Sequence, residues 1–172
     1  MSFLIYNLVI FPIIAGMLIV NDDFVRFFLG KDFQDARYAI AIMIFRMFFI
    51  GWTNIMGIQI LIPHDKNKEF MLSTTIPAIV SVGLNVLFLP HFGFIGAAIV
   101  SVLTESLVWL IQLYYTRHYL KEVPIIGSMT KIIFASAVMY GLLLLVKPFL
   151  HFTPTLNVLV YAVLGGIIYL IA

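Results

Sequence analysis

Two ionisable side chains stand inside apolar runs: Arg46 in "AIAIMIFRMFFIGW" and Glu105 in "AAIVSVLTESLVWLIQL". Near the centre of a bilayer each such charge costs about 2.5–3.5 kcal/mol to insert, so it faces a bundle interior or a water-filled cavity. A cation and a carboxylate placed this way can do either of two things. They can line a polar path through which a charged solute moves, or they can pair with each other and hold two helices together.

Their neighbours are small and polar at helical spacing. Ala97, Ser101, Glu105 and Gln112 fall at i, i+4, i+8 and i+15, with Thr104 beside them and Trp109 among them. Thr74, Ala78, Ser81 and Asn85 repeat the pattern at i, i+4, i+7 and i+11, and Arg46, Thr53, Asn54 and Gly57 share a third face. Arg46, Glu105, Asn54, Asn85, Ser81, Ser101 and Gln112 are therefore the candidate lining of a substrate cavity. Small residues alone also permit close helix packing, which is the competing account of the serines and threonines. At ~1.5 Å per residue, Arg46 lies roughly 12 Å and Glu105 roughly 17 Å below the starts of their runs, a difference that an arginine side chain can span. Pro77, in "TTIPAIVSVGLN", removes a helical hydrogen bond and is the candidate hinge.

No other constellation carries chemistry. His64, His91, His118 and His151 are scattered over connectors without a second ligand at useful spacing, so no metal site is expected. GxSxG, Walker-type glycine loops and HExxH are absent, and nothing calls for a cofactor. The expectation is a protein that is not an enzyme.

The elements that must position these residues follow from composition. Of 172 residues 63% are hydrophobic and 10% charged, and mean hydropathy is +1.10. A soluble domain is about a quarter charged, so the excess apolar surface must face lipid. A net charge of +2 without a basic cluster gives no footprint for nucleic acid. A crossing needs about 20 apolar residues and must be helical. Runs near 3–20, 38–62, 70–89, 94–114, 131–147 and 155–172 meet that length, predicting an all-α integral membrane protein of six spans forming one membrane domain over 1–172.

In the first connector, "NDDFVRFFLGKDFQDAR", Asn21 can cap a helix opened by Asp22 and Asp23 and closed by Gly30. Phe24, Phe27 and Phe28 share a face, predicting a short amphipathic helix in the membrane interface. Charge bias is slight, with Lys66, Lys68, Arg117, Lys121 and Lys131 on one side and Arg26, Lys31, Arg37 and Lys147 on the other. The first span begins almost at once and "VLGGIIYLIA" is still apolar at the last residue, which suggests a piece of a larger protein.

The stretch "GIQILIPHDKNKEFMLSTTIPAIVSVGLNVLFLPHFGFIGAAIVSVLTES", residues 57–106, resembles the C-terminal half of the polysaccharide flippases, the exporters of O-antigen and capsule repeat units, within the multidrug/oligosaccharidyl-lipid/polysaccharide exporter superfamily. Its features run in order: "GIQILIP" ending a span, "DKNKE", a span closing on "LNVLFLP", then "HFGFIGAA" and a span with "TES". Upstream, "FPIIAG" and "FFLGKDFQDA" also match. The likeness covers about residues 8–120; the last two spans match in hydropathy only.

The resemblance implies the C-terminal bundle of a twelve- to fourteen-span flippase, with the N-terminal bundle missing from this chain. It implies "DKNKE" and "RHYLKE" on the cytoplasmic side and "HFG" outside. It also implies residence in the cytoplasmic (inner) membrane, with the bilayer, a lipid-linked oligosaccharide on an undecaprenyl carrier and the missing bundle as partners. Arg46 would then attract the pyrophosphate, and Glu105 would pair with it or take up a proton. Two other readings compete: a cation-coupled multidrug exporter of the same fold, and a membrane subunit that packs on a partner without transporting.

Overall fold

A computed structural model describes residues 2–120, 125–147 and 154–171. Among them every regular element is helical: α1 Ser2–Phe28, a 3-10 turn Lys31–Phe33, α2 Ala36–Asn54 with a π-helical continuation Ile55–Leu61, α3 Asn67–Leu120, α4 Ile125–Val146 and α5 Pro154–Ile171. Four helices are long and apolar enough to cross a membrane, Ser2–Phe28, Ala36–Leu61, Asn67–Leu120 and Met129–Val146, and Leu156–Tyr169 is a shorter apolar helix. The chain is a multi-pass membrane protein. Residues Lys121 and His151, and parts of the connectors around them, lie outside the described residues.

At 54 residues α3 is too long for one crossing. It is two helices meeting at Gly93, whose backbone (φ 53°, ψ −134°) is the one non-helical point inside it. The two spans expected at 70–89 and 94–114 are thus its two arms, 67–92 and 94–120, joined by a single-residue bend rather than a loop. Only glycine adopts that backbone without strain, which for other residues costs about 1–3 kcal/mol. Gly93→Ala should lose about that much stability, read as earlier unfolding in an SDS titration of the detergent-solubilised protein. Unfolding unchanged from the parent would contradict the bend. Helical dihedrals persist through Pro77, which is buried.

The separate interfacial helix expected from Asn21 to Gly30 does not exist. Nothing breaks the helix at residue 20, and α1 runs on to Phe28, about 40 Å in all, longer than the ~30 Å hydrocarbon core. Asn21 is inside the helix and caps nothing. Its Nδ2 donates to the Arg37 carbonyl at 2.8 Å, and Arg37 Nη1 reaches Asp22 Oδ1 at 3.4 Å. The polar residues that looked like a helix start instead tie the end of α1 to the start of α2. The stop is as expected: Leu29 N donates to the Val25 carbonyl at 2.9 Å, and Gly30 follows at φ 87°. Phe24 and Phe28 stack at 4.6 Å between ring centroids, with Phe27 and Phe28 largely exposed.

The helices group into two compact units, residues 3–44 with 125–172 and residues 45–124. In the first, Ala15, Ile19 and Val20 of α1 form a core with Met139, Leu143 and Tyr161. In the second, buried Trp52, Ile55, Met56 and Leu61 of α2 accompany buried Ala98 and Val100 of α3. The connector after α2 turns at Asp65, in the left-handed region at φ 57°. Lys66 Nζ pairs with Glu69 at 3.1 Å, a bond that holds the lysine above its ordinary pKa.

Candidate functional site

Arg46, Phe49 and Thr53 follow i, i+3, i+7 on α2, and Ser101, Glu105, Trp109 and Gln112 follow i, i+4, i+8, i+11 on the second arm of α3. Each set lies on one helical face. Where the faces meet, Arg46 Nη2 stands 3.4 Å from Glu105 Oε2, so the pair inferred from depth alone does form. The other carboxylate oxygen, Oε1, lies 3.1 Å from Thr53 Oγ1. The pair is unequal: the Glu105 side chain is 17% exposed and that of Arg46 36%. A carboxylate this enclosed depends on its partners, because unpaired burial of a charge is expensive.

Thr53 Oγ1 also lies 2.9 Å from the Ile50 carbonyl of its own helix. A hydroxyl has one hydrogen to donate. With Glu105 ionised, that hydrogen is claimed by both acceptors.

Two further donors remain. Among the described residues, Arg46 Nε and Trp109 Nε1 are buried without a hydrogen-bond partner. Trp109 completes an aromatic wall, its ring 5.7 Å from Phe49 and 6.3 Å from both Phe48 and Trp52. Chemically the site offers a guanidinium with spare donors, an enclosed carboxylate, an indole N–H and apolar rings. That set suits an anion bearing hydroxyl groups, and equally an organic cation held against rings and a carboxylate.

Seven residues further along the same arm, Gln112 is 1% exposed. Its Nε2 donates to Ser73 Oγ of the first arm at 3.2 Å, while its Oε1 has no partner among the described residues. The π-helical stretch of α2 packs here. Ile62 N bonds back to the Gly57 carbonyl at 3.1 Å, and a Cβ on Gly57 would stand 2.6 Å from the Phe70 ring and 3.1 Å from Gln112 Nε2. The widened turn and the absent side chain let α2 approach both arms of α3. Such π-bulges are often found at functional sites.

The other residues expected to line the cavity are not bonded to this pair. Asn54 is exposed and its Nδ2 returns to the Ile50 carbonyl at 2.8 Å. Asn85 Nδ2 bonds within its own helix, to the Ser81 carbonyl at 2.9 Å and Ser81 Oγ at 3.3 Å. Ser101 is half-buried, one turn before Glu105. Thr74 and Ala78, with Thr75, Ile79 and Val82, line an open groove on the first arm.

Over 94 residues, 55% of its length, the chain is 30% identical to a protein of Escherichia coli (strain K12) described as "Putative O-antigen transporter". The likeness is to a transporter. The chain spans 23% of that relative's length. No family model matches the chain, and no solved structure does.

Sequence reasoning gave too little weight to three features. Phe48 and Trp52 stand four apart on α2, and Trp109 stands four after Glu105, which together signal an aromatic wall beside the pair. Ser73, one residue off the Thr74 stripe, is the group that meets Gln112. The π turn has no sequence signature beyond Gly57.

Proposed function

We propose that this chain is part of a membrane exporter that moves undecaprenyl-linked oligosaccharide repeat units across the cytoplasmic membrane, for capsule, O-antigen or exopolysaccharide synthesis. The carrying observation is the Arg46–Glu105 pair at 3.4 Å, set on two apolar helices with donors to spare. The named relative supports the reading by its likeness over more than half of this chain. Arg46 attracts the pyrophosphate of the substrate, the spare N–H groups and aromatic rings receive the first sugar, and Glu105 exchanges its pairing for a proton as access alternates. No bond is made or broken, so the protein is not an enzyme and works without a cofactor. Its partners are the bilayer, the lipid-linked oligosaccharide and an N-terminal helical bundle of the same transporter; nucleic acid is not among them.

The same proposal has six crossings, with the α2–α3 connector cytoplasmic and the Gly93 bend outside. Cysteines placed at Asn67 and Phe92 should react with a membrane-impermeant thiol reagent from opposite faces; reaction of both from one face rejects this topology. The function itself is tested in a strain whose own repeat-unit flippase is deleted. Restored surface glycan on supplying the protein that contains this chain supports it, and cytoplasmic accumulation of lipid-linked units despite folded protein rejects it.

A second reading has its own support. An enclosed carboxylate beside Phe48, Phe49, Trp52 and Trp109 also suits an organic cation, as in a cation-coupled multidrug exporter. Resistance to lipophilic cations on expression, with surface glycan unchanged, would favour it.

A further inference from the structure

The π-helical stretch Ile55–Leu61 begins just after Thr53, on the same helix that carries Arg46. In an α-helix each amide bonds back four residues. Here Ile62 N reaches the Gly57 carbonyl at 3.1 Å and Lys66 N the Leu61 carbonyl at 2.9 Å, five residues back in each case. A turn that closes on five holds one residue more than its neighbours. Losing that extra residue turns whatever lies on one side of it by about 100° around the helix axis and slides it by ~1.5 Å.

The same packing both holds the wide turn and opposes it. Gly57 is closed in: a Cβ there would stand 2.6 Å from Phe70 Cε2 and 3.1 Å from Gln112 Nε2. Met56 and Leu61 beside it are fully buried. Yet the fit leaves Gln112 Oε1 buried without a partner among the described residues, and an unmade bond of that kind is a cost. Packed elements with opposed contacts change by discrete steps rather than by gradual deformation.

Anchors decide which side turns. Beyond the π stretch the connector is tied to both arms of α3: Lys66 Nζ meets Glu69 at 3.1 Å, and the His64 ring lies 4.3 Å from that of Tyr119. Ahead of it, residues 45–54 meet the second arm through Arg46 and Thr53 on Glu105 and through Phe48, Phe49 and Trp52 on Trp109. An anion arriving at Arg46 competes for the first of those contacts and leaves the connector's untouched. We propose that the π turn is the switch of this site. While it stays wide, Arg46 and Thr53 face Glu105; when it closes to an α turn, the preceding part of α2 rotates and carries both off the carboxylate. Its place in a transport cycle rests on the reading above, and the rotation itself does not.

Two variants separate the states. Ile58 lies in the wide turn with its side chain exposed. Deleting it leaves a turn that closes on four with both flanks in their present register, so the protein should fold with Arg46 on Glu105 and be unable to switch. Gly57→Leu acts the other way. Its side chain has no room beside Phe70 and Gln112, so the wide turn is lost with every residue still present, and the rotation must follow.

The 172 residues contain no cysteine, so introduced ones carry the probes. Spin labels on Phe45→Cys or Met47→Cys, each paired with one on Leu110→Cys, replace exposed side chains. Residues 45 and 47 stand about 200° apart around the helix. Rotation therefore moves their labels in opposite directions, a tip ~5–6 Å from the axis by about 8 Å, whereas a slide or a tilt moves both alike. Double electron–electron resonance in nanodiscs should give the deletion variant the distances of the parent. In Gly57→Leu one distance should lengthen as the other shortens. Both distances unchanged in folded Gly57→Leu, both changed in one sense, or a deletion variant that departs from the parent would each overturn the proposal. Should Gly57→Leu not fold, Gly57→Ala, whose Cβ meets the same atoms, decides on the same two distances. Surface glycan is measured alongside. Both variants should fall to the level of the flippase-deleted strain despite folded protein, and delivery by the deletion variant equal to the parent would overturn the switch. If the parent itself delivers none, the transport reading fails, and the distances alone decide on the rotation.

Discussion

Glu105→Gln should leave the protein folded while delivery of glycan to the cell surface falls roughly tenfold or more, the scale of losing one charge-assisted hydrogen bond. Glutamine keeps the shape of the side chain, and its amide oxygen still accepts from Thr53, which stands 3.1 Å from Glu105 Oε1. What it loses is the negative charge facing Arg46 and the ability to take up a proton. Stranding one partner of a fully buried ion pair costs about 3–5 kcal/mol. Here Arg46 is 36% exposed rather than fully buried, so that range is an upper bound.

A purely structural pair behaves differently. Either single variant, Glu105→Gln or Arg46→Gln, would lower the amount of folded protein, and the double variant would largely restore both folding and delivery. A pair that works in the transport cycle leaves the double variant folded but inactive. The measurement is surface polymer per folded protein in the membrane for the three variants. Delivery by Glu105→Gln equal to the parent rejects the transport role.

Gly96→Val should be the most damaging single change in the second unit, leaving little folded protein. Even one Cβ at Gly96 would stand 2.7 Å from the Phe88 carbonyl oxygen, 3.1 Å from its carbon and 3.0 Å from Phe92 Cβ. Two of those three are main-chain atoms on the far side of the Gly93 bend, which a rotamer change cannot move. Overpacking of this kind costs typically ~1–3 kcal/mol for small additions and more for a branched side chain.

Gly83 provides the contrast on the same helix, because a Cβ there meets nothing within 4 Å. Gly83→Ala should be neutral or stabilise by about 0.5–1 kcal/mol through helix propensity. Fluorescence-detected size-exclusion chromatography of tagged variants measures both. A monodisperse Gly96→Val peak as large as that of Gly83→Ala would show that the bend is not packed as described.

How much of this was legible beforehand varies residue by residue. Arg46 and Glu105 were found because charges in apolar runs are costly enough to need a reason, and the rise of a helix set their depths. Gly30 was read correctly as a stop, since a left-handed backbone favours glycine. Asn21 was misread: Asn-Asp-Asp is a good helix start only where the preceding helix has ended, and a distant partner, the Arg37 carbonyl, let α1 continue through it.

Hydropathy and residue spacing alone place the chain in a membrane, make it helical and mark which helices carry polar faces. Lipid leaves a backbone few other ways to satisfy its hydrogen bonds, and hydrophobic length is a local property. Which polar residues meet is set by the packing of the helices. It joined Glu105 to Thr53 as well as Arg46, gave Gln112 to Ser73, and left Ser81 and Asn85 bonded to each other within one helix. It also placed the bend at Gly93 and opened the π turn at Gly57. These depend on how close two helices come and at what rotation, and shifts of a few ångströms in packing change neither hydropathy nor spacing.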